Sequence, residues 1–163
     1  MQTRIEGLDH VLRGMKILPE IMGHRYGPVY SGLMKAGRVI QQQAQANVRQ
    51  ITATPNRRGR DLSTGMLERS IWVMRTRLPQ RYGGPTVYVT VHRNVRYPID
   101  QRTPTGIGVA TIGRMLEYGT RKRKPMEWMG PAFHAKKGEA ENEILREVQK
   151  GVRDVEKKLG GRL

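Results

Sequence analysis

The chain has no cysteine among its 163 residues, a single phenylalanine and only 14 acidic side chains. The absence of thiols excludes a disulfide framework, a thiolate nucleophile and any cysteine-based metal site. A metal-dependent nuclease needs clustered carboxylates, yet nearly half of the acids fall in the last predicted helix. No apolar run reaches the ~20 residues needed to span a bilayer. The first residues, Met1 to Gly7, lack the apolar centre of a signal peptide. A cytoplasmic protein with no membrane contact is expected. The hydrophobic fraction, 37%, is low for a compact domain. Either the core is modest, or a partner completes part of the surface.

What the chain does have is positive charge. Thirty Lys and Arg against 14 Asp and Glu give a net charge of +16 and a pI near 10.9. Such a field favours polyanions or acidic protein surfaces. A soluble basic protein with no nucleic-acid contact is the plain alternative.

Catalytic patterns are missing. His10, His24, His92 and His134 are scattered, without metal-ligand spacing. There is no Gly-x-Ser-x-Gly and no phosphate loop, and Gly106-x-Gly108 is too short for a dinucleotide fingerprint. Glu117 and Glu127 are the acid–base candidates. Glu117, however, precedes a run of four cations, which favours a salt-bridged structural role over a tuned catalyst. No enzyme activity, metal or cofactor is expected.

The stretch from Met115 to Phe133 organises the rest. Met115, Leu116 and Tyr118 read as the buried end of an apolar element, and Gly119 can take φ > 0 and release the chain. Arg121, Lys122, Arg123 and Lys124 must face water or a partner. Pro125 forbids a helix straight through. Met126, Trp128 and Met129 return to apolar surroundings, and Pro131-Ala132-Phe133 opens the last helix. A basic loop pinned at both ends in this way is suited to touching something.

Along the chain, Ile5, Leu8, Leu12 and Met15 predict an amphipathic N-terminal helix, an arm within residues 1–27. A long helix from about Pro28 to Ile51 carries the stripe Val29, Leu33, Ala36, Ile40, Ala44, Val48 and Ile51. Its Gln41–Asn47 face is uncharged, and reads either as filler or as a surface for another subunit. A loop holding Arg57, Arg58 and Arg60 leads to a short helix, with Ser63 or Thr64 as N-cap and Glu68 in its first turn. Ile71 to about Arg77, a Gly83-Gly84-Pro85 turn and Thr86 to His92 predict a β-hairpin, with Val87, Val89 and Val91 on one face. Arg93 to Gly108 reads as irregular. Val109 to Tyr118 regains helical character. The last helix runs from Pro131 to about Leu159, with the stripe Ile144, Leu145, Val148, Val152, Val155 and Leu159. From Glu139 to Arg162 six acids balance six bases, so the excess charge lies elsewhere. With no repeat and no Gly/Ser linker, residues 1–163 form one domain. The fold class is α+β: a small antiparallel sheet, the hairpin plus one or two further strands, flanked by a long central helix and a long C-terminal helix.

The order of motifs carries a resemblance. Thr64-Gly65-Met66-Leu67-Glu68-Arg69-Ser70-Ile71 follows a long helix. A hairpin comes next, then Leu116-Glu117-Tyr118-Gly119-Thr120, then Pro131-Ala132-Phe133 at a helix start. Over roughly Leu33 to Leu159 this resembles the tail-completion (neck, head–tail joining) proteins of long-tailed bacteriophages. The Arg121–Lys124 run, the Tyr97–Gly108 segment and the N-terminal helix depart from that pattern.

The resemblance implies a structural subunit of the virion, assembled in the host cytoplasm as a homo-oligomeric ring, commonly sixfold. Its neighbours would be the capsid connector and tail-tube or tail-terminator proteins, with DNA passing through the channel. The subunit or ring interface is then expected at Glu117, Tyr118, Gly119, Thr120, Arg121, Lys122, Arg123, Lys124 and Trp128, in a loop over 121–130. Arg57, Arg58 and Arg60 are candidates for contact with DNA or an acidic partner. The alternative is a stand-alone basic nucleic-acid-binding protein. Against that stands the lack of a recognition-helix pattern, an aromatic stacking platform or an RNA-binding signature.

Overall fold

The computed structural model describes residues 27–53, 65–75, 85–97 and 106–160, with 158–160 described by backbone alone. The N-terminal arm, Arg57, Arg58, Arg60, Ser63, Thr64 and the Gly83-Gly84 turn lie outside the described residues. Within them the order is helix α1 (Pro28–Ala53), helix α2 (Met66–Ser70), strands β1 (Ile71–Arg75) and β2 (Val87–Val91), helix α3 (Val109–Tyr118) and helix α4 (Met129–Gly160). The protein is α+β, a two-stranded antiparallel sheet flanked by two long helices.

The two long helices run antiparallel. Near the start of α1, Ser31 Oγ donates to Glu147 Oε2 at 2.9 Å and Lys35 Nζ to Glu147 Oε1 at 2.5 Å. Near its end, Asn47 Nδ2 donates to the Trp128 carbonyl at 2.9 Å. The donors from Lys35 and Ser31 hold the Glu147 carboxyl below its ordinary pKa. Gly32 sets the closeness of the pair, because a Cβ there would lie 2.9 Å from Ile144 Cα. The buried face of α4 accordingly uses small residues, with Ala132, Ala140, Gly151 and Val155 buried. The expected α4 stripe needs a correction at Leu145, which is 56% exposed. It sits about 100° round the helix from Ile144, off the narrow face that α1 covers.

The sheet lies across α1. Ile71 pairs with Val91, Val73 with Val89 and Arg75 with Val87, so these share one face. Val73 and Val87 meet α1 at Gly37. On the other face Trp72 stacks on His92, ring centroids 3.9 Å apart. Among the described residues the sheet gains no third strand. Beyond it there are only isolated bridges, Arg96 with Gly108 and Thr120 with Arg123. The ends of the irregular segment are nonetheless tied, Tyr97 N–H donating to Ile107 O and Val109 N–H to Val95 O, both at 2.9 Å.

Within the uncharged stretch of α1 Gln42 is exposed, but Gln41 and Gln45 are half-buried and bonded to the chain's own backbone. Gln41 Nε2 donates to Ile71 O at 2.7 Å, and Gln45 Nε2 to Glu68 O at 3.2 Å. These amides reach carbonyls at the α2–β1 junction, where the chain changes from helix to strand; Glu68 O also accepts the Ile71 N–H. The residue before α2 is Gly65, in the left-handed region at φ 65°, with no side-chain cap. Glu68 is in the first turn as expected, ion-paired with Arg49.

All the helices and β1 meet in one core: Ala44, Val48, Leu67, Ile71, Val109, Leu116, Trp128 and Ala132. The expected burial of Met115 and Tyr118 is corrected, since they are 43% and 77% exposed. Helix α3 turns Val109, Ile112, Gly113 and Leu116 inward. At about 100° per residue Tyr118 stands roughly opposite Val109.

Candidate docking site at the basic turn

The turn is built on its anchors. Helix α3 stops at Tyr118 because Gly119 takes φ 75°, a region costly for residues with a Cβ. A Cβ at 119 would also lie 2.8 Å from Arg123 O and from Pro125 N. The chain then doubles back. Thr120 N–H donates to Arg123 O at 2.8 Å and Arg123 N–H to Thr120 O at 3.1 Å. That reciprocal pair leaves Arg121 and Lys122 as the two tip residues of a tight hairpin. Thr120 Oγ1 accepts the Lys122 N–H at 3.3 Å, and the Arg123 guanidinium donates to Met126 Sδ at 3.0 Å. At the base, Met126 N–H donates to Leu116 O at 2.7 Å.

A second tie closes the base from the side-chain direction. Glu117 Oε2 accepts the backbone N–H groups of Trp128 (2.7 Å) and Met129 (2.9 Å), and Oε1 accepts that of Gly130 (2.9 Å). Pro131, next in line, has no N–H. The first turn of α4 therefore has no unpaired donor left, and its positive dipole end faces a carboxylate. This explains why α4 begins at Met129 rather than Pro131. Partial burial pushes the Glu117 pKa up, but the N–H donors of Met129, Trp128 and Gly130 together outweigh it and hold the carboxyl below its ordinary range. The expected salt bridge between Glu117 and the cation run is thus replaced by backbone capping.

Two expected interface residues turn inward. Trp128 is 3% exposed in the chain's own core, its Nε1–H donating to Gly113 O at 3.0 Å. A large aromatic with an indole donor is buried well where a carbonyl can meet it, and α3 supplies that carbonyl. Glu117 is committed to α4. Trp128 and Glu117 are therefore corrected from partner contacts to supports of the turn. Nothing local marks the Glu117 cap, because carboxylate and helix end lie eleven to thirteen positions apart.

The remaining expected residues do come together at the surface. Tyr118, Thr120, Arg121, Lys122, Arg123 and Lys124 are exposed, and with Gly119 and Pro125 they line an open recess of about 510 Å³. Among the described residues, ion pairs join Lys35–Glu147, Arg49–Glu68, Lys136–Glu139, Lys137–Glu141 and Arg146–Glu143. Arg121 to Lys124 take part in none of them. Among the described residues, no three His, Asp or Glu side chains converge as a metal site, and no helix is long and apolar enough to cross a membrane.

Comparison of the chain with protein-family models, with curated proteins and with solved structures finds no match.

Proposed function

We propose that this chain is a non-enzymatic structural protein of a phage neck, assembling as a ring that completes the tail and joins it to the capsid connector. The ordered motifs from Thr64 to Phe133 support this reading, with sixfold copy number as their resemblance implies. The observation that carries it is the basic turn, in which four exposed cations on a hydrogen-bonded hairpin are backed by the chain's own core and neutralised by none of its described acids. A turn of that kind is a docking element, and its partner belongs to the assembly. Heterologous contacts that close on themselves generate a ring.

Light scattering after size exclusion, with electron microscopy of the peak, tests the assembly. A closed ring, alone or on purified tails or connectors, is the expected result. Complementation with Arg121–Lys124 replaced by Ser should yield folded protein and unjoined heads and tails. A protein that stays monomeric in the presence of both tails and connectors would remove the reading.

A further inference from the structure

We propose that the basic turn grips the phosphate backbone of duplex DNA without reading its sequence. The inference rests on the turn being a docking element, and takes DNA as the polyanion from the neck reading.

The charge around the turn is lopsided. Residues 118–125 hold four Lys or Arg and no Asp or Glu, and the acid that precedes them, Glu117, is spent on the backbone of α4. A one-signed cluster of this kind raises the encounter rate with polyanions.

The chemistry of the recess separates nucleic acid from acidic protein. Protein interfaces are centred on apolar and aromatic anchors, and lysine is depleted there. In this recess the apolar groups are the Tyr118 ring and Pro125, and the rest is cation, hydroxyl and backbone. Phosphate contacts draw on that set: Arg, Lys, Thr, Tyr and main-chain N–H groups. Of the two aromatic anchors expected for a protein partner, Trp128 is buried in the chain's own core, which leaves Tyr118 alone at the surface of the recess.

The same features argue for a duplex and against sequence readout. Binding a single strand uses several aromatic rings on which bases stack, and the recess offers only Tyr118. Base readout in the major groove uses a helix or a two-stranded ribbon long enough to lie in it, whereas this hairpin has a two-residue tip. Holding four like charges on a fixed turn is unfavourable in isolation. A row of phosphates relieves that repulsion and releases counterions.

The test is fluorescence anisotropy of the full chain with a labelled random-sequence DNA duplex, over a series of salt concentrations. The wild type should bind at low salt, and a scrambled duplex should bind equally. Changing Arg121, Lys122, Arg123 and Lys124 to Ser should flatten the plot of log Kobs against log salt by about one unit per lost phosphate contact. The milder pair K122S/K124S should give roughly half that change. Circular dichroism and the thermal midpoint check that both variants fold. Absence of wild-type binding, or an unchanged slope in folded variants, would overturn the proposal. So would poly-glutamate competing as well as DNA per unit charge. The ring is scored separately by light scattering. A monomer with turn-dependent DNA binding sinks the neck reading alone, and a ring whose turn ignores DNA sinks this one alone.

Discussion

The carboxylate of Glu117, one residue from the end of α3, accepts the backbone N–H of Gly130 at 2.9 Å in the first turn of α4. With the Trp128 and Met129 N–H groups bound as well, one side chain does the work of an N-cap from a different helix. Glu117→Gln keeps the shape but removes the charge and turns one acceptor into a donor. It is expected to cost about 1–2 kcal/mol at neutral pH.

The pH dependence follows from the same contact. The folded carboxyl titrates below the unfolded one. Its contribution is therefore complete above the unfolded carboxylate range and is lost as pH falls through the folded pKa. Urea midpoints of wild type and Glu117→Gln should converge on acidification. A gap between them that stays constant into the acid range would show that the charge is not what α4 uses.

The two tryptophans should respond in opposite ways to the same change. Trp128→Phe removes the 3.0 Å hydrogen bond to Gly113 O, which keeps its helical donor, and is expected to cost about 0.5–1.5 kcal/mol. Trp72 Nε1 is buried with no hydrogen-bond partner. Trp72→Phe removes an unsatisfied donor and keeps the stack on His92, so stability should be unchanged or slightly raised. Chemical denaturation of both variants is the measurement, and equal losses would contradict the assignment.

Two glycines in helices give a similar contrast. Alanine is favoured over glycine in a helix by about 1 kcal/mol. At Gly138 nothing lies within 4 Å of an added Cβ, so Gly138→Ala should gain that amount. At Gly32 the new Cβ would meet Ile144 Cα at 2.9 Å, and prising two helices apart costs typically about 1–3 kcal/mol. The packing cost exceeds the propensity gain, so Gly32→Ala should lower the thermal midpoint.

A fourth comparison concerns the α4 stripe. Leu145 looks like a core residue by its spacing, but at 56% exposed a change to Lys should fall within about 0.5 kcal/mol of wild type. Val48, 1% exposed near the C-terminal end of α1, should not tolerate Asp, because the charge would be buried without a partner. Circular dichroism would separate a folded Leu145→Lys from an unfolded Val48→Asp.

These contrasts show where the sequence was legible. Periodicity located α1, α3, α4 and β2, since burying an apolar face imposes the repeat, and β-branched and aromatic residues located β1. It misjudged the ends. Tyr118 and Met115 sit beside Leu116 in sequence but on other sides of α3. Leu145 follows Ile144 but leaves the face that α1 covers. In both cases the width of the contact decided, and that depends on the partner helix. At the candidate site, the cation run and the Gly119 break were plain in the sequence. The inward turn of Trp128 and the capping by Glu117 were not, because each depends on a group brought near only by the fold. The glutamines of α1 were opaque for the same reason: their acceptors, Ile71 O and Glu68 O, are backbone atoms.

The Leu116–Met126 hydrogen bond and the Glu117 cap fasten the two feet of the hairpin to each other. Everything from Thr120 to Lys124 is thereby mounted like an interchangeable bit in a fixed chuck, with Gly119 as the one fixed joint. Substitutions or a few inserted residues there disturb no core side chain, and lengthening such a closed segment carries only a slowly growing entropic cost. Binding preference can therefore drift under selection while the scaffold stays put, and the tip is the natural place to graft a foreign recognition sequence.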